Sequence, residues 1–267
     1  MAVTSFQSGV LKLLAQNRRA LGESYVAGGV ALNLLLDACR RSRDIDLFHD
    51  TETALREAWR IDRERLVDAG YQVAVLHEAP SLVEARVSRD GGQTELQWVR
   101  DSAFRFFPLV EDELMGLALH PFDLATNKTL AMAGRLEARD WVDLLRADEC
   151  LQPLGLLVWA ACGKDPGYNP ASLLSAVGRH HYCQDELDML DFAGETPDAA
   201  ELGRRWHDAV SQAAHVVGAL PAAHAGTCVL TEGGELFREV RHLADALARN
   251  TITFHKGRIR GAWPQPR

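Results

Sequence analysis

The chain has 267 residues, 47% of them hydrophobic and 25% charged, and a formal net charge of −8. A chain of this length buries a core without disulfide or metal staples, and its composition excludes collagen, long disorder and a disulfide-built miniprotein. The acid excess also excludes a protein that coats nucleic acid non-specifically, because such binding needs many Lys and Arg to neutralise phosphates.

The longest apolar stretch, 26–36, is too short to span a bilayer and contains Asn33. Lys12, Arg18 and Arg19 are scattered through a helical pattern, without the separate charged, apolar and cleavage regions of a signal peptide, so a cytoplasmic protein with no membrane partner is expected. Five cysteines, Cys39, Cys150, Cys162, Cys183 and Cys228, are an odd number with no Cys-x-x-Cys pair, which favours reduced core thiols.

Phe6, Val10, Leu13 and Leu14 predict a helix over 5–20, and 24–27 reads as a short strand ended by Gly28-Gly29. A second helix carries Ala31, Leu32, Leu35 and Leu36. The segment 44–48 alternates acid with aliphatic, which is strand periodicity, and 51–69 is a helix rich in ion-pair candidates. Strands follow at 71–76, 82–88 and 94–99, the last two flanking Asp90-Gly91-Gly92 as a hairpin. That makes four or five strands by residue 100. From Pro121 onward the pattern turns almost wholly helical, interrupted near Gly163–Pro170, Gly194–Pro197 and Pro221. The expected architecture is α+β: a mixed α/β core over 1–120 and a helical domain over 121–267. The last thirteen residues hold Lys256, Arg258, Arg260 and Arg267 and no acid, a basic tail on an acidic chain.

Alternation places Asp44 and Asp46 on one strand face while Ile45 and Leu47 point the other way. Two such acids repel unless a cation joins them, and hard cations such as Mg²⁺ take one or two carboxylates together with substrate phosphates. Alone, Asp-x-Asp also describes a solvated strand face. Upstream, however, a strand, Gly28-Gly29 and a helix come first. Glycines admit a phosphate close to the backbone, and the amides that open a helix favour an anion.

The run Ala27-Gly28-Gly29-Val30-Ala31-Leu32, followed by Arg40-Arg41-Ser42-Arg43-Asp44-Ile45-Asp46-Leu47-Phe48, closely resembles the signature of the nucleotidyltransferase superfamily in its AbiEii/AbiGii toxin branch. The resemblance extends to Asn127-Lys128 with Arg135, Arg139, Asp140 and Asp143, which look like that branch's downstream Lys and Arg-Asp-x-x-Asp motifs. It implies a polymerase-beta-like core of small mixed sheet and packed helices, followed by a helical domain. It further implies transfer of a nucleoside monophosphate from a triphosphate such as ATP, with release of pyrophosphate.

On that reading Asp44 and Asp46 hold Mg²⁺ or Mn²⁺, and Gly28, Gly29, Ser42, Arg40, Lys128, Arg135 and Arg139 bind the nucleotide. At about 100° per residue Lys128, Arg135 and Arg139 lie within about 20° of one line, with Asp143 about 60° and Asp140 about 120° away. Asp143 is therefore expected to face Lys128 better than Asp140, provided the helix is unbroken at Gly134. Members often supply a third carboxylate from a later strand, and the choice falls between Glu95 and the position held by Gln97.

The implied setting is a toxin of a toxin–antitoxin or phage-defence pair acting on tRNA, with a cognate antitoxin as partner. Two alternatives stand beside it: transfer to a small hydroxylated molecule such as an antibiotic, and a nucleotide-binding module that has lost turnover. His49 and His120 lie near the motifs and are open to either role. His180-His181-Tyr182-Cys183 reads as structural, since adjacent histidines on a helix point apart.

Overall fold

The computed structural model describes residues 2–135, 137–179 and 181–264, so His180 of the histidine pair and Arg267 of the tail lie outside the described residues. The chain divides into two compact units, Met1–Ala103 with Leu109–His120, and Phe104–Pro108 with Pro121–Arg267. Through residue 120 the elements are α1 (Ser5–Leu21), β1 (Ser24–Ala27), α2 (Gly28–Leu35), β2 (Arg40–Arg41), β3 (Asp44–His49), α3 (Glu52–Asp68), β4 (Gln72–Ala79), β5 (Leu82–Arg89), β6 (Gly92–Arg100), β7 (Phe104–Arg105), β8 (Val110–Asp112) and β9 (Gly116–Ala118).

Seven of these strands form one sheet in the order β4-β5-β6-β3-β1-β9-β8. It is mixed: β3 runs parallel to β6 and β1 parallel to β9, while the other neighbours are antiparallel. The alternation seen in the sequence sorts the faces. Ile45 and Leu47 of β3, Val83, Ala85 and Val87 of β5, and Leu96 and Trp98 of β6 are buried. They form the core with Val10, Leu11 and Leu14 of α1 and Leu55, Ala58, Trp59 and Leu66 of α3.

The rings of Trp59 and Trp98 meet edge-on with centroids 4.6 Å apart. Inside this core the buried Asp62 carboxylate accepts from Asn17 Nδ2 at 2.6 Å and Trp98 Nε1 at 2.8 Å and pairs with the buried Arg18 guanidinium. The Asp62 charge is held in this way because a buried carboxylate is costly unless its oxygens are paired and hydrogen-bonded. Side-chain caps set the helix starts: Thr4 accepts from Gln7 N, and Thr51 from Ala54 N. The hairpin between β5 and β6 turns at Asp90 and Gly91, whose φ values of 52° and 80° are the left-handed pair such a two-residue turn requires.

The second unit contains α4 (Pro121–Gly134), α5 (Ala138–Cys150), α6 (Leu154–Ala161), α7 (Pro170–Gly178), α8 (Gln184–Asp188), β10 (Asp191–Phe192), α9 (Ala199–Ala219), β11 (Thr227–Thr231), α10 (Leu243–Ala248), β12 (Ile252–Lys256) and β13 (Arg258–Ile259). Every residue of α6 is buried, and α4, α7 and α9 pack around it. A satellite core gathers Trp159, Val216, Leu220, Val229, Phe237, Leu243 and Ile252.

The expectation of an almost wholly helical second half needs correction. β11 pairs antiparallel with β12, and β13 with β7. These strands are only two to five residues long, too short for alternation to stand out from the helical background. β7 joins this unit because the buried Asp123 carboxylate accepts the backbone N–H groups of Phe106 and Phe107 at 2.9 and 3.0 Å, and Lys164 Nζ pairs with the same carboxylate at 2.8 Å.

The cysteines are all free thiols, yet of the five only Cys228 is buried, while Cys39 and Cys183 are exposed. His181, Tyr182 and Cys183 precede α8 outside any helix. Among the described residues no helix is long and apolar enough to cross a membrane.

Candidate active site

The site begins where β1 ends. Antiparallel register sets Ala27 opposite Asp46, so the glycine pair that follows emerges beside that carboxylate. Gly28 takes φ 63°, a left-handed value, and a Cβ built there would lie 1.7 Å from Asp46 Oδ2. Only glycine fits on both counts. Gly29 is as crowded: a Cβ on it would stand 2.7 Å from Ser42 Oγ and 2.8 Å from an Arg40 guanidinium nitrogen. The eight-residue α2 starts at Gly28 with no side chain capping its first amides. Uncapped amides at a helix start carry partial positive charge and suit an anion.

Asp44 and Asp46 share the half-buried face of β3, while Ile45 and Leu47 go to the core. Ser42 Oγ donates to Asp44 Oδ1 at 3.3 Å. The buried Arg40 guanidinium donates to the carbonyl of Arg41 at 3.1 Å. Gly28, Gly29, Arg40, Ser42, Asp44 and Asp46 are thus gathered by short-range geometry in the first unit.

The parallel pairing of β3 with β6 bears on the third carboxylate. Glu95 is in register with Asp44, and Gln97 with Asp46. Glu95 is half exposed and its carboxylate pairs with Arg86 at 2.8 Å. One strand further, Glu84 is in register with Gln97, so Asp46, Gln97 and Glu84 form a row across the sheet. Glu84 was not visible from the sequence, since spacing along a chain does not disclose register between strands. Among the described residues no cluster of three or more His, Cys, Asp or Glu stands close enough to hold a metal. Two carboxylates beside a glycine turn are nevertheless a hard-oxygen donor set of the kind Mg²⁺ shares with phosphate oxygens.

His49 proves to be a core residue. It is fully buried, with Nε2 3.0 Å from Ser24 Oγ and Nδ1 3.2 Å from the Val99 carbonyl. Burial, helped by the nearby Arg18 charge, lowers its pKa to about 3, so it is neutral at ordinary pH.

In the second unit, Lys128, Asp140 and Asp143 form a buried ion-pair group, joined from the surface by the half-exposed Arg135. The helix breaks after Gly134 and restarts at Ala138. The straight-helix prediction therefore fails: Asp140, not Asp143, comes closest to Lys128 Nζ, at 2.6 Å against 3.1 Å. Arg135 grips Asp140 with two nitrogens, at 2.8 and 3.1 Å, while Arg139 turns to Glu137 at 3.8 Å rather than lining up with Lys128. Burial acts to raise the pKa of Asp140, but the Arg135 hydrogen bonds and the Lys128 charge outweigh it and hold the carboxyl below its ordinary range. The neighbouring Asn127 accepts from Lys164 Nζ at 2.7 Å.

No protein-family model matches the chain, and no curated protein sequence matches it. Among solved structures it is similar to a candidate nucleotidyltransferase from Helicobacter pylori, with TM-score 0.52 and 14% identity over 80% of this chain and 95% of that one. It is similar also to JHP933 from Helicobacter pylori, with TM-score 0.51 and 14% identity over 81% and 95%. A third similar structure is MenT4, a nucleotidyltransferase toxin from Mycobacterium tuberculosis, at TM-score 0.49 and 16% identity over 81% and 87%. The chain has the nucleotidyltransferase fold, the one implied by its Gly-Gly and Asp-x-Asp motifs.

Proposed function

We propose that the chain is a divalent-metal-dependent nucleotidyltransferase that moves a nucleoside monophosphate from a triphosphate to an acceptor hydroxyl and releases pyrophosphate. The observation that carries this reading is the placement of Asp46 opposite Ala27 with its carboxylate against Gly28, on the same strand face as Asp44. Phosphate-binding amides and a two-carboxylate cation site then share one corner of the first unit.

Asp44 and Asp46 hold the cation, Mg²⁺ or Mn²⁺, which when bound offsets charge on the triphosphate and lowers the pKa of an attacking hydroxyl. The amides of Gly28 and Gly29 receive phosphate oxygens, and Arg40 and Ser42 beside Gly29 add a cation and a hydroxyl donor. Glu95, in register with Asp44, takes the acceptor proton or adds an oxygen ligand. Such chemistry is chiefly positioning and electrostatic stabilisation.

In the second unit Lys128 is the proposed phosphate contact, through the ammonium proton left by Asp140 and Asp143. Those two acids orient it, and Arg135 anchors Asp140. Arg139 keeps a nucleotide-contact role in this proposal only through the motif resemblance. The same resemblance points to tRNA as acceptor, to a toxin role and to a cognate antitoxin as partner; the cytoplasm is the proposed setting on the pattern of the first twenty residues.

A second reading, a nucleotide-binding module without turnover, is favoured by one feature: Gln97 stands beside Asp46, and the nearby Glu95 is engaged by Arg86. Pyrophosphate release separates the two. The protein with Mg²⁺, each of the four triphosphates and total RNA is expected to release pyrophosphate from one or more of them. Triphosphate binding without release supports the second reading instead.

A further inference from the structure

The acid pair on β3 is preceded by Ser42 and Arg43, and the backbone of these two residues is held from behind by a side chain far away in sequence. Gln7, buried in the first turn of α1, donates its Nε2 to the Ser42 carbonyl at 2.8 Å and to the Arg43 carbonyl at 3.3 Å, and lies 3.4 Å from Thr94 Oγ1. Thr94, buried on β6, donates its hydroxyl to the same Arg43 carbonyl at 3.0 Å. The Gln7 amide cannot be turned round without loss, because its Oε1 accepts the backbone N–H of Thr4 at 2.9 Å. One side chain thus caps α1 with its oxygen and fixes the 42–43 backbone with its nitrogen.

The segment so fixed is the one the proposed chemistry depends on. Ser42 Oγ reaches Asp44 Oδ1 at 3.3 Å and is the atom nearest to where a Gly29 Cβ would stand. Thr94 precedes Glu95, which is in register with Asp44. We infer that Gln7, assisted by Thr94, is the positioning residue of the cation site: it sets the Ser42–Arg43 backbone so that Asp44 and Ser42 meet the glycine turn in binding geometry. The inference rests on the nucleotidyl-transfer reading. Groups that orient metal ligands from behind typically carry about 10- to 100-fold in metal affinity or activity.

Three variants isolate the role. Gln7→Glu keeps an oxygen for the Thr4 amide and removes the donor, placing anionic oxygen against two carbonyls. Thr4→Ala removes the cap bond from Gln7 N and leaves the Gln7 donor untouched. Thr94→Val removes the hydroxyl, and Thr94→Ser restores it. The readouts are Mn²⁺ affinity of the protein without triphosphate, by electron paramagnetic resonance, hydrogen exchange of the 40–44 amides, and the dependence of nucleotidyl transfer on Mg²⁺.

The expected result is Mn²⁺ affinity weakened about tenfold or more in Gln7→Glu and in Thr94→Val, with faster exchange at 40–44. Thr4→Ala and Thr94→Ser are expected to match the parent protein. Unchanged Mn²⁺ affinity in Gln7→Glu, or an equal loss in Thr4→Ala, would overturn the inference and leave Gln7 a helix cap. If the parent binds Mn²⁺ but transfers no nucleotide, the functional reading fails while the Mn²⁺ series still tests Gln7. A parent that binds Mn²⁺ neither alone nor together with a triphosphate overturns both.

Discussion

Asp44 and Asp46 carry the account at the scale of single residues, and their removal gives its sharpest chemical prediction. Asp44→Asn or Asp46→Asn is expected to keep the fold, since both side chains sit on the half-buried face of β3, and to lower nucleotidyl transfer by about 10²–10³-fold or more, the size of losing a principal electrostatic stabiliser. Gly28→Ala acts on the same corner by another route. Its backbone conformation costs an L-residue about 1–2 kcal/mol, and its new methyl displaces the Asp46 carboxylate. Lower stability together with lost activity is the expected outcome, measured by urea unfolding and by label transfer.

His49 gives a prediction in pH. Its pKa falls from 6.5 to about 3 on folding, so below pH 6.5 the unfolded chain takes up a proton that the folded chain refuses. Stability is therefore lost as pH falls from about 6.5 toward 3, by up to about 1.4 kcal/mol per pH unit from this group. His49→Gln is expected to remove that part of the slope in urea unfolding followed from pH 7 to pH 4.

Among elements, the break between α4 and α5 decides how the downstream motif works. With Gly134 ending one helix and Ala138 starting the next, Asp140 and Asp143 both reach Lys128. Lys128→Met leaves two buried carboxylates short of their cation, and a loss of about 3–5 kcal/mol is expected in chemical denaturation. Arg135→Gln removes the half-exposed partner of Asp140 and is expected to cost about 1 kcal/mol or less. Equal, small losses would show that the group is not structural and that Lys128 is held for ligand alone.

The same elements show what was legible in the sequence. Asp44–Phe48 announced both its strand and its acid face because one side had to be buried, and Asp90-Gly91 announced its hairpin because the turn needs left-handed residues. The β8–β9 and β11–β12 pairs were not legible, being short. Nor was the Gln7 tether, which joins residues 35, 36 and 87 positions apart and leaves no periodic trace. The Gly134 break was named as the condition for the helical-line argument, and it is where that argument failed.

For the molecule as a whole, the acid pair and glycine turn belong to the first unit and the Lys128 group to the second. Composition bears on the acceptor only weakly: with a net charge of −8, any RNA must be met by local basic residues such as the Lys256, Arg258 and Arg260 tail rather than by the field of the whole chain. Binding of RNA through a few such contacts is expected to weaken steeply as salt is raised from 50 to 200 mM, and an electrophoretic shift titration at both salts measures it.

The central claim is that Asp44 and Asp46 carry nucleotidyl transfer. It is tested most directly by incubating the protein with Mg²⁺, total cellular RNA and each of the four α-labelled nucleoside triphosphates, beside the Asp44→Ala/Asp46→Ala double variant. The account predicts that label from at least one triphosphate enters RNA with the parent protein and not with the double variant. Label entering RNA equally with both proteins would contradict it, whereas no label entering while triphosphate and Mg²⁺ still bind would exclude RNA as the acceptor and leave a small hydroxylated acceptor or a module without turnover.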